Sequence, residues 1–332
     1  MPLVSSIRRA AVWACALAWA ACAVAQAPAL PSWNDGEPRM RIVEFVRAVS
    51  DPKGKDFVAP ADRIAVFDND GTLWAEQPLY FQALFMLDQV KAAAPGHPEW
   101  QQNPAFKALA AQDQAALEKL GMKPVLELLA QANSGMTVGE YDATIRNWLA
   151  SARHPKFKRP YTDLTYLPMR ELLDYLRANG FSTFIVSGGS VEFMRPWAEK
   201  AYGIPPEQVI GSQQEVKFDV RDGKPVLTRE ARFAFVDDGP GKPVGIYRHI
   251  GKRPIFAFGN SDGDFQMLQV TTAGEGRRLA LIVHHDDAQR EFAYDRQSHI
   301  GKLDKALDAA PANHWIVVSM KKDWKKIFAF QQ

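Results

Sequence analysis

Residues 64–67, Ile-Ala-Val-Phe, form an unbroken apolar run that stops abruptly at Asp68-Asn69-Asp70-Gly71-Thr72. A short run rich in β-branched and aromatic residues suits a strand buried on both faces, which is the environment of a parallel sheet covered by helices. Ligands of such sheets bind in the crevice beyond the carboxyl ends of the strands, so the two acids are delivered to a cleft. If the chain stays extended, Asp68 and Asp70 point the same way and Asn69 points opposite. Two carboxylates on one side of a strand end repel unless a cation or a shared proton intervenes. A hard divalent ion such as magnesium, which takes oxygen ligands, meets that need. The competing reading is an Asp-Gly turn that merely closes the strand.

The chain before this strand divides in two. Arg8 and Arg9 precede an uncharged stretch, Ala10 to Val24, and Ala23-Val24-Ala25 before Gln26 has the small residues of a cleavage site. These features predict a leader over residues 1–25 and a periplasmic or secreted protein, with a retained anchor or a lipoprotein at Cys22 as alternatives. No later stretch is longer and apolar, so no stable membrane span is expected after cleavage. Both cysteines, Cys15 and Cys22, fall inside the leader. A mature chain without thiols avoids mispairing in an oxidising compartment. The formal charge of +2 comes from 40 basic and 38 acidic residues, and loss of Arg8 and Arg9 makes the rest neutral. That excludes a general nucleic-acid binder, which needs a basic face. Met40 to Val46 then reads as a helix on the outside of the sheet.

Beyond Pro78 the character changes. Residues 79–164 contain almost no β-rich run. Leu79, Leu84, Leu87 and Val90, and later Leu117, Leu120, Val125, Leu128 and Leu129, recur near helical spacing. The strand-and-helix pattern resumes with a helix from Met169 to Asn179 ended by Gly180, and a strand ending in Ser187-Gly188-Gly189. Val216 to Val236 alternates around Asp222-Gly223 and reads as a hairpin. Lys242 opens a helix from Pro243 to His249. Pro254 to Phe258 is a further buried strand, ending in Gly259-Asn260-Ser261-Asp262-Gly263-Asp264. Arg278 to Val283 is another, ending at His284-His285-Asp286-Asp287, where a zinc site competes with an ordinary polar strand end and where His284 is the residue placed to line the cleft. Trp315 to Met320 is a peripheral strand, and Trp324 to Phe330 a short amphipathic tail.

In order, these strand ends resemble the four motifs of the haloacid dehalogenase superfamily, and the second Asp resembles its phosphatase branch. The resemblance implies an α/β fold: a Rossmann-like core with a parallel sheet (26–78 and 165–332) and an inserted helical cap of the C1 type (79–164). It implies that Asp68 is a nucleophile forming an aspartyl phosphate and that Asp70 protonates the leaving group. Thr72, Ser187, Gly188 and Lys242 would hold phosphoryl oxygens, with Lys252 as the fallback for Lys242. Magnesium would be held by Asp68, Asp70, Asn260 and Asp264, with Asp262 as the alternative to Asp264. Asn260 departs from the family, which more often has Asp there, and an amide oxygen brings no charge. Glu76 is the candidate for a substrate contact, since phosphoserine-phosphatase-like members hold a substrate amine with a glutamate near this point. The implied function is magnesium-dependent hydrolysis of a small phosphomonoester. A phosphomutase, or a non-catalytic phospholigand-binding protein, is the alternative.

Overall fold

β1 (Ile64–Phe67) lies in the middle of an eight-stranded sheet, and all four of its residues are buried. The other strands are β2 (Ser182–Ser190), β3 (Val209–Arg221), β4 (Lys224–Phe235), β5 (Phe256–Gly259), β6 (Leu279–Asp286), β7 (Ala293–Tyr294) and β8 (Ile316–Ser319). Their order is β4-β3-β2-β1-β5-β6-β7, with β8 also paired to β6. Every pairing is parallel except β3 with β4 and β6 with β7. This is the expected α/β class with a mostly parallel sheet. The computed structural model describes residues 29–111, 113–120 and 122–331. The leader expected over residues 1–25, with Cys15 and Cys22, lies outside the described residues. Among those described, no helix is long and apolar enough to cross a membrane.

Alternation along the strands divides the core into two layers. Ala65 and Phe67 of β1 join Phe256, Phe258, Leu281 and Val283 against the helices Glu37–Ser50, Leu167–Ala178 and Val191–Tyr202. Ile64 and Val66 face the other way, with Val186, Ala257, Ala280 and Ile282, against the helices Gly241–His249 and Phe265–Thr272. Register then sets the site. Phe67 pairs with Ile185 on one side and Phe258 on the other, so three strands end side by side. From β1 the sheet grows one way to β2 and the other way to β5. The crevice of a doubly wound sheet opens at such a reversal.

The described residues between 81 and 151 are mainly helical as expected, with helices Phe81–Ala93, Pro104–Ala111, Gln114–Leu120, Met122–Ala132 and Val138–Ser151. The last begins in a capping box, where the Thr137 side chain accepts from Glu140 N. This layer does not hang free. Phe85 packs on Phe193 at 5.5 Å and Phe81 on Trp74 at 4.7 Å, and its buried residues belong to the same apolar cluster as the sheet.

The hairpin turns at Asp222-Gly223, both with positive φ (50° and 74°), as the sequence predicts. It is more than a decoration. The outer edge of β4 pairs with the helical layer through Gly135 N to Arg229 O and Arg229 N to Met136 O, both 2.9 Å. The Arg229 guanidinium lies 3.5 Å from the centroid of the Tyr141 ring. One strand boundary differs from expectation. β6 runs on to Asp286, taking in both histidines. Residues 324–330 form no helix, and Trp324 and Phe328 bridge to Trp33 and Tyr166.

Tyr141, buried between Arg229 and Phe85, joins the hairpin to the helical layer. Tyr141→Ala is expected to cost about 3–5 kcal/mol of unfolding free energy, the range for deleting a buried aromatic ring. Denaturant unfolding checks it, and an unchanged midpoint would contradict the packing role.

Candidate active site at the strand ends

Asp68 follows β1 directly, and its N–H donates to Phe258 O at 2.9 Å, so the last rung of the sheet fixes its backbone. The chain then turns tightly. Asn69 O accepts from the N–H groups of Thr72, Leu73 and Trp74, and Gly71 takes φ 74°. A Cβ on Gly71 would collide with the side chains of Asn260 and Glu76, so the turn requires glycine for space as well as for φ.

Lys242 comes from the first turn of the helix Gly241–His249, and only 2% of its surface is exposed. Its ammonium donates to Asp68 Oδ1 and Asp264 Oδ1, both at 2.6 Å, and to Val186 O at 3.0 Å. Burial alone would lower its pKa, but Asp264 and Asp68 outweigh that and hold it above the usual lysine range. Burial pushes the Asp68 carboxyl well up and Asp264 adds to this, with Lys242 pulling back. Lys252, the fallback, reaches Ala61 O and Asp62 at the surface.

Asp70 has one oxygen committed and one available. Trp74 Nε1 donates to Oδ1 at 2.8 Å. Oδ2 lies 3.5 Å from where a Cβ of Gly189 would sit, facing the turn after β2. Burial raises this carboxyl to about 6 against the pull of the Trp74 indole. A carboxyl in that range both gives and takes a proton near neutral pH. In the turn, Ser187 Oγ accepts from Gly189 N at 3.1 Å and keeps its own proton to donate. Gly188 is exposed, and a Cβ there would make only ordinary contacts, so its amide rather than its lack of a side chain is what it offers. The helical layer meets the site here, because Gln82 Oε1 accepts from Ser190 N at 2.8 Å.

The remaining candidates require correction. Thr72 is fully buried, and its hydroxyl lies 3.4 Å from Asp68 Oδ2 and 3.2 Å from Asn260 Oδ1. Expected at a phosphoryl oxygen, it instead braces the Asp68 carboxylate and the Asn260 amide. Asp264 gives Oδ1 to Lys242 and Oδ2 to the N–H groups of Asn260 and Ser261, so both oxygens are engaged away from the gap between Asp68 and Asn260. Asp262 turns outward and accepts from the N–H groups of Asp304 and Ala306. Glu76 is no substrate contact. It is 1% exposed, and its Oε1 accepts from Asn260 Nδ2 at 2.7 Å and Tyr294 Oη at 2.8 Å. Burial pushes its carboxyl well up, the Tyr294 hydroxyl works against this, and Asp70 and Asp68 add to it.

The residues that remain fit a hard divalent cation. Asp68 Oδ2 and Asn260 Oδ1 are oxygens gathered around one buried hydroxyl, with no thiol or imidazole among them. Among the described residues no group of three His, Cys, Asp or Glu is placed to hold a metal ion. The run His284-His285-Asp286-Asp287 splays apart. His284 meets Asp295, Asp286 meets Ser319 and Asp287 meets Arg290. His285 Nε2 donates to Gly71 O at 2.8 Å.

The haloacid dehalogenase-like hydrolase family matches residues 65–269, well over half of the chain, including the ends of β1, β2 and β5 and the helix that carries Lys242. The chain belongs to that family. Among curated proteins no relative matches it. A protein of unknown function from Bordetella pertussis Tohama I shares the fold, with a TM-score of 0.50, 16% identity, and coverage of 77% of this chain and 97% of its own. A functionally unknown protein from Anaerococcus prevotii is also similar (TM-score 0.49, 16% identity, 75% of this chain and 85% of that one). So is a phosphoserine phosphohydrolase-like protein from Francisella tularensis (TM-score 0.37, 16% identity, 68% and 89%).

Three residues of this hydrolase's site escape a motif reading: Trp74, His285 and Tyr294. Trp74 stands in plain view four residues after Asp70. His285 was within reach, because alternation places it on the Leu281 and Val283 side of β6, beneath Gly71. Tyr294 lies on a two-residue strand that no pattern announces.

Lys242→Met leaves Asp68 and Asp264 buried without their shared cation, which is expected to destabilise the protein by about 3–5 kcal/mol at neutral pH. The Asp68 carboxyl, whose folded pKa burial raises, keeps a proton that the unfolded chain has already released. The variant therefore loses stability as pH rises toward the folded Asp68 value, and recovers part of it on acidification. Thermal unfolding across about pH 5 to 8 checks this, and a variant no less stable than wild type, with no pH trend, would contradict it.

Proposed function

We propose that this hydrolase is a magnesium-dependent phosphomonoesterase that works through a phosphorylated Asp68. The observation that carries the reading is the pairing on one turn of a lysine-clamped carboxylate, Asp68, with a second carboxyl, Asp70, whose pKa is raised to about 6. A hydrolase of haloacids needs no second acid at that position, whereas cleavage of a phosphoester needs a proton for the departing alkoxide.

In the first half-reaction the Asp68 carboxylate attacks phosphorus. The ester P–O bond breaks toward the alcohol, which takes its proton from Asp70. Ser187 and the amides that follow it hold the phosphoryl oxygens, and the charge of Lys242 attracts them. In the second half, Asp70, now a carboxylate, takes a proton from water as that water attacks phosphorus. The acyl phosphate bond breaks, and the Asp68 carboxylate and inorganic phosphate are released. Asp68, the Asp70 carbonyl and Asn260 would hold magnesium, which would supply positive charge to offset repulsion between the carboxylate and the phosphate dianion. Asp264 contributes by fixing Lys242. The helical layer, touching the site through Gln82, excludes water and selects the alcohol.

The substrate is a small phosphorylated molecule, and the leader read from the sequence supports action outside the cytoplasm. Protein recovered from the periplasm is expected to begin at Gln26 by N-terminal sequencing. A start at Met1 in a membrane fraction would contradict export with cleavage.

The activity is tested by phosphate release from an aryl phosphate, abolished by exhaustive chelation and restored by magnesium. Absence of release under any condition would favour a phospholigand-binding protein. Asp70→Asn is expected to slow alkyl phosphates by about 10²–10⁴-fold, the usual worth of general acid catalysis. Activated aryl esters, which leave without a proton, are expected to lose far less in the step that phosphorylates Asp68. Equal losses in burst kinetics on both would assign Asp70 a structural role.

A further inference from the structure

Glu76 and Asn260 form a buried pair with no solvent access and a fixed direction. Asn260 Nδ2 donates to Glu76 Oε1 at 2.7 Å, which turns Asn260 Oδ1 toward Thr72 Oγ1 at 3.2 Å, on the Asp68 side. The fold makes room for this carboxylate with two glycines. A Cβ on Gly71 (φ 74°) or on Gly301 (φ 63°) would strike Glu76. Three further side chains secure the walls. Tyr294 Oη donates to Glu76 at 2.8 Å, Tyr80 Oη accepts from Gly301 N at 3.2 Å, and His285 Nε2 donates to Gly71 O at 2.8 Å. Glu291 lies behind His285, near its Nδ1 at 3.4 Å. His285, Glu291, Tyr294 and Gly301 all lie beyond the stretch 65–269 that matches the family.

We propose that Glu76 is a positioning residue for the cation: it orients the Asn260 amide oxygen into the site and supplies, one hydrogen bond further out, the negative charge that Asn260 lacks. The carboxylate expected at position 260 has in effect been divided between a neutral ligand and a charged partner. A burial this complete has no other evident use. Glu76 touches no cation, and its charge faces no base among its hydrogen-bonding neighbours. A cation bound between Asp68 and Asn260 would supply the positive charge that the hydrogen-bonding neighbours of Glu76 lack. Groups that hold a metal ligand by its far side commonly set both its direction and its strength.

The inference rests on the magnesium reading above, and the experiment separates the two. Magnesium affinity is measured by calorimetric titration of the full folded protein, without substrate, for wild type, Glu76→Gln, Asn260→Asp and the double exchange. Glu76→Gln keeps an acceptor for Asn260 Nδ2 and removes only the charge, so affinity is expected to fall about 10- to 100-fold. The double variant returns the charge to position 260 and gives it an amide partner, and its affinity is expected to return to near the wild-type value. Asn260→Asp alone opposes two buried carboxylates, so its melting temperature without magnesium falls and rises steeply when the ion is added. Glu76→Gln with wild-type affinity overturns the proposal, as does a folded double variant as weak as Glu76→Gln. If Glu76→Gln does not fold, comparison of the double variant with wild type still decides, because a folded double variant more than about tenfold weaker overturns the charge exchange. A wild type that binds no magnesium removes the metal reading itself.

Discussion

The Lys242 ammonium, 2.6 Å from both Asp68 and Asp264 and almost wholly buried, is the interaction on which the site depends. Three donors meet three acceptors, the two carboxylates and Val186 O, so nothing on the ammonium is left unpaired. The three acceptors are Asp68 just after β1, Val186 within β2 and Asp264 in the short turn after β5, so one charge ties together three segments that the sheet's register brings side by side. A compact point charge suits that task better than a planar guanidinium. Taking the three charged groups out of water is costly, and only their mutual attraction with complete hydrogen bonding offsets it. The same ammonium keeps the Asp68 carboxyl from rising further and remains as a fixed cation for an incoming phosphate.

Around this triad the chain is shaped by where side chains are absent. Gly71 leaves space for the Asn260 amide, and Gly259 leaves space for the Asp264 carboxylate beside Lys242. Gly211 allows β3 to approach the carbonyl of Gly189. The acids can therefore sit close to backbone rather than reach across open space, which keeps their orientation fixed before any substrate arrives. The long hairpin and the helical layer add a second kind of order. Main-chain hydrogen bonds from Gly135 and Met136 to Arg229 give the layer an attachment besides the two points where the chain enters and leaves it.

The architecture was legible wherever the pattern was local. β1, β2, β5 and β6 announced themselves by apolar runs, whereas the buried start of β3, residues 209–212, did not. The polar residues beyond those runs, with the lysine that opens a helix, bring Asp68, Ser187, Lys242 and Asp264 to the same crevice. What the sequence could not give was direction. Thr72 and Asp264 belong to the site but point to their neighbours. Both are satisfied by protein groups, and those groups are known only once the strands are in register. Glu76 sits eight residues from the nucleophile, a spacing that suits a substrate contact as well as a buried brace. Only the late segment carrying Tyr294 and Gly301, more than two hundred positions away, closes it off from solvent. His285 illustrates the opposite case. Ending β6 at Val283 hid its parity, and three more strand residues would have placed it under Gly71.

The central claim is that the Asp68 carboxylate becomes phosphorylated during turnover. The most direct measurement is an acid quench of the working enzyme with a phosphomonoester labelled in its phosphoryl group, followed by peptide mapping. The account predicts label on the peptide that carries Asp68, labile to hydroxylamine as an acyl phosphate is, and absent from folded Asp68→Asn. Turnover with no label on the protein at any quench time, or label that persists in Asp68→Asn, would contradict it.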